Sequence, residues 1–282
     1  MDVAGAYARC AEITRLEARN FSYGIRLLPD QKQLAMSALY AFARRVDDIG
    51  DGSLAVEEKR AALQGVRESI EQLYSGTWDD EDPIFVALSD AIGRYPLTAS
   101  ELLEVVDGCE MDCSKSAYAT FDELSAYCSL VAGSIGRLSL AIFGFDEPEA
   151  PRIANSLGLG LQITNILRDV VEDRDVMGRV YLPAEDLVRF SCAVDLRGDL
   201  AHLIDLIRFE AGRARGFYTE GLPLLELLDR RSRACVAAMS GIYFRLLHRI
   251  EENPLAVLEG RVSIPSWEKA WVAARSLAGA GV

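Results

Sequence analysis

The sequence predicts an all-α fold wrapped around a central cavity. Apolar residues recur at helical spacing through most of the chain, whereas strand-type alternation is scarce. Two aspartate-rich clusters, far apart in sequence, each end a strongly apolar helical stripe. If both clusters serve one site, the chain closes around it as a single domain spanning residues 1–282. No internal repeat, low-complexity tract or long linker divides it.

From the N-terminus, Leu34, Ala35, Ala38, Leu39, Phe42 and Val46 make an apolar stripe that runs into the first cluster, Asp47-Asp48-Ile49-Gly50-Asp51. Glu57 to Tyr74 mixes charge with Ala61, Leu63, Val66, Ile70 and Leu73, a surface helix closed by Ser75-Gly76-Thr77. The acidic connector Asp79-Asp80-Glu81-Asp82-Pro83 leads to a helix from Ile84 to Arg94. Ser100 to Cys113 and Phe121 to Phe143 form two more, the second with Thr120 as N-cap and Glu123 three residues on. Arg152 to Asp173 carries the second cluster, Asp169-Val170-Val171-Glu172-Asp173. Gly178, Pro183 and Gly198 break up the segment beyond it. Helices resume at Leu200 to Leu222 and Arg230 to Asn253, and Pro265 stands near the start of a last one bearing Trp267 and Trp271.

Composition narrows the function. A formal charge of −13 argues against a nucleic-acid binder, because phosphate backbones recruit basic surfaces. Residues 1–19 show no apolar h-region, and no uncharged apolar run is long enough to span a bilayer. The longest candidate, Ile153 to Leu167, is interrupted by Asn155, Gln162, Thr164 and Asn165. The expectation is a cytoplasmic chain. Trp267, Lys269, Trp271 and Arg275 offer a transient membrane-surface contact, with packing of that helix on the core as the favoured alternative. Cys10, Cys109, Cys113, Cys128, Cys192 and Cys235 lack zinc spacing and read as reduced, packed thiols.

On a helix, Asp47 and Asp51 share one face, as do Asp169 and Asp173. Like charges at that spacing cost a bare helix a few tenths of a kcal/mol, about 0.2–0.5 per pair. A solvated face explains one such pair; two, each preceded by an arginine (Arg44 and Arg168), read as opposing walls of one pocket. Mg²⁺ suits several carboxylate oxygens and shares its shell with phosphates. The arginines suit diphosphate oxygens. Such a pocket matches ionisation of an allylic diphosphate, with apolar walls keeping the resulting cation from water. Gly133, Gly136, Gly158 and Gly160 interrupt presumed helices, either giving room to a substrate chain or letting helices pack closely.

At these residues the chain resembles the squalene and phytoene synthases, a family of prenyltransferases. Ala18-Arg19-Asn20-Phe21 is similar to the family's Ser-Arg-Ser-Phe-type element, with both serines replaced. Tyr40 to Asp51 matches the first aspartate motif, and Tyr127-Cys128 with Val131-Ala132-Gly133-Ser134-Ile135-Gly136 matches a second block. Gln162 to Asp173, then Gly178-Arg179-Val180-Tyr181-Leu182-Pro183, matches the second aspartate motif and its sequel. The stretch between Asp173 and Gly178 is one residue longer than the common pattern, which leaves Arg174, Asp175 and Arg179 without assigned roles.

The resemblance implies an isoprenoid-synthase-type helical bundle. It implies that Asp47, Asp51, Asp169 and Asp173 ligate Mg²⁺, with Asp48 as a helper. Arg19, Arg44 and Arg168 hold diphosphate, and Phe21, Gln162 and Asn165 stand at the substrate. Tyr127 sits near the reacting carbons and assists proton removal, with Arg168 beside it as a second catalytic group. The activity implied is head-to-head condensation of two prenyl diphosphates, handing product to downstream pathway enzymes. Asp107 to Asp112 and Arg261 to Pro265 are similar to the bacterial hopanoid branch, which favours farnesyl diphosphate as substrate and presqualene diphosphate as product. Condensation of two geranylgeranyl diphosphates to phytoene is the alternative, and a non-enzymatic metal-binding module the more distant one.

Overall fold

The computed structural model describes residues 2–18, 20–78 and 81–279. Asp79 and Asp80 of the expected acidic connector lie outside the described residues. Among the described residues the elements are helices: α1 (Val3–Glu17), α2 (Phe21–Ile25), α3 (Asp30–Asp51), α4 (Val56–Ser75), α5 (Pro83–Arg94), α6 (Ala99–Ser114), α7 (Phe121–Cys128), α8 (Ser134–Phe143), α9 (Ala150–Asp175), α10 (Ala184–Arg189), α11 (Leu200–Gly221), α12 (Arg230–Glu252), α13 (Ala256–Glu259) and α14 (Ser266–Leu277). A π-helical turn, Ser129–Gly133, joins α7 to α8, and a 3₁₀ turn, Leu222–Leu227, joins α11 to α12. The sole extended pairing among these residues is one parallel bridge, Ala117 with Val180.

Side-chain caps start many of the helices. Asp2, Asp82, Thr98, Thr120, Asp199 and Asp229 each accept a backbone N–H of the following first turn. Pro83 supplies the preset φ for the first residue of α5. Gly76, at φ 72°, closes α4 in the left-handed region, as its Ser-Gly-Thr sequence predicts. The expected boundaries lie within a few residues of those observed. The exception is Phe121–Phe143, which is one helical run with the π turn inside it rather than a regular helix. Among the described residues this segment, not Ile153 to Leu167, is also the one long and apolar enough to cross a membrane by length and composition. Over half of it is buried inside the protein, as a core helix would be.

Helices α3 and α9 occupy the middle. Helix α3 packs on α1, α5, α6 and α8; α9 is flanked by α8, the π turn, α11 and α12. Phe42, Leu39, Leu138, Leu167 and Leu206 are almost wholly buried between these layers. Each such side chain contributes roughly 1.5–3 kcal/mol of burial. Of the two readings left open for the glycines, close packing holds at Gly136 and Gly158. A Cβ on Gly158 would lie 2.6 Å from the Ala132 carbonyl oxygen, and one on Gly136 2.7 Å from that of Ala154. Both glycines also line an apolar cavity, so the tight crossing and the room beside it coexist.

Away from the centre, Arg213 bridges the buried Asp186 and Glu210, donating to Glu210 at 2.8 Å. Burial, followed by the nearby Asp186, pushes the Glu210 carboxyl up to about 7 against the pull of Arg213, and its Oε2 finds no partner. At the C-terminus, α14 packs on α12 through Val272 and Ala273, as the favoured alternative expects. Trp271 lies between the Arg245 and Arg275 guanidinium groups, while Trp267 stands 71% exposed.

Candidate active site

A cavity of about 610 Å³ opens between the C-terminal halves of α3 and α9. Asp47 and Asp51 line it from α3, and Asp169 and Asp173 from α9. A second, apolar cavity of about 230 Å³ continues from it, walled by Ile25, Met36, Leu39, Phe143, Leu224 and Met239. Phe21, Tyr40, Ala43, Val131, Gln162 and Asn165 line both, so the polar chamber and the apolar arm adjoin.

The acidic walls act on each other electrically. Enclosure by the walls, followed by the Asp51 charge, pushes the Asp47 carboxyl up to about 6, although its side chain remains open to the cavity. Burial, then Asp169, and also Asp51 from across the chamber, push Asp173 up to about 7. That cross-talk is the electrostatic mark of two facing walls.

Cations partly offset the charge. Arg179 donates to Asp51 at 2.8 Å and to the Gly50 carbonyl at 3.4 Å. Arg168 makes a two-pronged pair with its neighbour Asp169, the Nε bond being 2.8 Å. Arg261, from the segment between α13 and α14, lies 3.1 Å from Asp169 and 3.5 Å from Glu172. Arg44 reaches Asp47 at 3.3 Å and Asp48 at 2.7 Å, while its buried Nε has no partner.

Most residues expected at a site are brought together here, with two qualifications. Asp48 does not line the chamber; it is exposed and paired with Arg44. Arg19 lies outside the described residues. Phe21 stacks on Tyr243 with ring centroids 5.3 Å apart, both facing the chamber. Tyr127 is 3% exposed and donates its hydroxyl to Asp112 at 2.7 Å. The Asn165 amide donates weakly to Gln162 at 3.5 Å, and its buried Oδ1 has no partner. Of the residues without assigned roles, Arg174 and Asp175 pair with each other away from the chamber, whereas Arg179 lies inside it.

Sequence reasoning missed Asp112, Tyr181, Tyr243, Glu172 and Arg261 as chamber residues. Asp112 had a legible signal: it continues the helical stripe of Val105 and Cys109, one acid on an otherwise apolar face. Arg261 had none, because its role depends on how the last segment crosses the end of α9.

The donor set suits a hard cation: paired carboxylates, plus an amide oxygen buried without a partner. Among the described residues no group of three or more acids, histidines or cysteines converges tightly enough to hold a metal ion unaided.

An all-α bundle of the isoprenoid-synthase type, with an acidic head chamber leading to an apolar arm, defines a prenyltransferase. The chain belongs to the squalene/phytoene synthase family, whose model matches residues 14–268. It is 45% identical to a phytoene synthase of Mycobacterium tuberculosis, over 98% of this chain and 92% of that one. A phytoene synthase of Arthrospira platensis is 37% identical over 94% and 90%. Among solved structures, a dehydrosqualene synthase in complex with ligand superposes with a TM-score of 0.89 at 26% identity, covering 98% and 97%. The squalene synthase HpnC from Alicyclobacillus acidocaldarius gives 0.82 at 28%, covering 89% and 94%.

Proposed function

We propose that this enzyme joins two geranylgeranyl diphosphates head to head, forming phytoene through a cyclopropyl diphosphate. The observation that carries the choice of substrate is the 45% identity to a phytoene synthase along nearly the full length. The similarity to proteins named for squalene and dehydrosqualene is 26–28%. Farnesyl diphosphate, favoured by local sequence texture, is the second reading, kept by those two structures.

Asp47, Asp51, Asp169 and Asp173 would hold Mg²⁺, which when bound neutralises the charge gathering on departing pyrophosphate. Arg44 and Arg168 face the same chamber with guanidinium groups suited to diphosphate oxygens. The apolar arm takes the prenyl tail and excludes water from the allylic cation. Phe21 and Tyr243, which line the chamber, offer aromatic rings to that cation, an attraction worth up to about 2 kcal/mol when desolvated. In this reading the chain works in the cytoplasm, and Trp267 on α14 offers an exposed indole for brief contact with the membrane that supplies lipid substrate.

The test is incubation of purified protein with Mg²⁺ and either the C15 or the C20 diphosphate, without NADPH, followed by product mass analysis. A C40 product from the C20 substrate is expected. Turnover of the C15 substrate alone would replace this reading with the second one. Chelation with EDTA should abolish pyrophosphate release, and added Mg²⁺ should restore it.

A further inference from the structure

Asp112 is the one chamber acid contributed by α6, outside both aspartate pairs. Its two oxygens are both engaged by phenols: Tyr127 donates to Oδ2 at 2.7 Å and Tyr181 to Oδ1 at 3.0 Å. The rings of Tyr118, Tyr127 and Tyr181 stack against each other with centroids 5.3–6.0 Å apart. Three separate pieces of chain meet at this carboxylate: α6, α7 and the segment after α9. That segment is zipped to residues 116–119 by Val180 N–H to Ser116 O and Ala184 N–H to Tyr118 O, each 2.9 Å.

A phenol has one proton to give. With that proton committed to Asp112, Tyr127 turns only lone pairs toward whatever occupies the chamber. It therefore cannot act as a donor to diphosphate; it is set as an acceptor toward the chamber it lines. We infer that Asp112 is a positioning residue that fixes the direction of the Tyr127 hydroxyl and makes it a proton acceptor during condensation. This rests on the prenyltransferase reading above. When the cyclopropane closes, the C–H electron pair becomes the new ring bond. The released proton passes to the Tyr127 oxygen, whose own proton moves to the Asp112 carboxylate. The step balances without oxidant or reductant.

The test is a double-mutant cycle at saturating Mg²⁺ with the prenyl diphosphate that wild type turns over. Asp112→Asn keeps the shape but can accept only one hydroxyl proton. Its kcat should fall by roughly 100-fold with KM within about threefold, in the range for lost acid–base assistance. Tyr127→Phe should fall similarly, and the double variant should be no slower than Tyr127→Phe alone. Additive losses, or an Asp112→Asn enzyme with wild-type kcat, would overturn the inference. An independent readout needs only Tyr127→Phe. The ultraviolet resonance Raman difference between wild type and this variant should show a phenol that donates strongly; an acceptor signature refutes the assignment even if Asp112→Asn does not fold. Wild type inactive toward every allylic diphosphate would instead sink the function itself, and the inference with it.

Discussion

Gly158→Ala tests how tightly the architecture ties packing to catalysis. Alanine gains about 1 kcal/mol over glycine inside a helix. The added Cβ, however, would meet the Ala132 oxygen at 2.6 Å, its carbon at 2.9 Å and the Gly133 nitrogen at 3.0 Å. All three are backbone atoms, so relief requires α9 and the π turn to move apart. Overpacking of that kind costs roughly 1–3 kcal/mol, leaving a net loss of about 1 kcal/mol. Gly212→Ala is the control: it sits in α11 with nothing within 4 Å of its Cβ, so only the helix gain remains. The two variants should differ by about 2 kcal/mol, or roughly 3–4 °C in melting temperature by calorimetry. The same separation shifts Gln162 and Asn165 relative to Val131 across the chamber, so kcat should fall by roughly tenfold in Gly158→Ala only. If Gly158→Ala melts with Gly212→Ala and turns over like wild type, the close crossing does not set the site.

The charges make further outcomes testable. Asp51→Asn and Asp173→Asn should each slow Mg²⁺-dependent pyrophosphate release by roughly 100-fold, as expected when a preorganised charge at the transition state is lost; an unaltered rate in either would remove its wall from the mechanism. Arg168→Lys keeps the charge but loses the two-pronged geometry, so KM for the prenyl diphosphate should rise several-fold in steady-state assays. Glu210 governs a pH dependence of stability. Its folded-state carboxyl is raised from 4.5 to about 7, so the folded protein keeps a proton that the unfolded chain has released. Stability from this group is full below pH 4.5 and falls by roughly 3 kcal/mol as pH climbs to about 7. Relative to wild type, Glu210→Gln should therefore melt progressively higher between pH 5 and pH 8; a constant difference would refute the coupling.

The helices were legible because periodicity and capping are local. The stripe from Leu34 to Val46, the cap at Thr120 and the stop at Gly76 need no knowledge of the rest of the fold. The π turn at Ser129–Gly133 was not legible, since it depends on the Gly108 and Gly158 crossings on either side. The acidic pairs were legible for a further reason. Asp48 and Asp51 lie in the last turn of α3 and Asp173 in that of α9, where the helix dipole already disfavours negative charge by about 0.3–1 kcal/mol each. A sequence that pays this twice, in its two most central helices, must recover it from cations. Part of the recovery is internal and non-local: Lys59 donates to the Gly50 carbonyl at 2.7 Å, Arg179 caps the same end, and Arg261 crosses to Asp169. No reading of separate segments could place these three. Yet Asp47 and Asp173 remain pushed toward neutral pH with all of them present. Burial and mutual repulsion thus outweigh the protein's own cations at these carboxylates, and a divalent ion would supply the positive charge that is short.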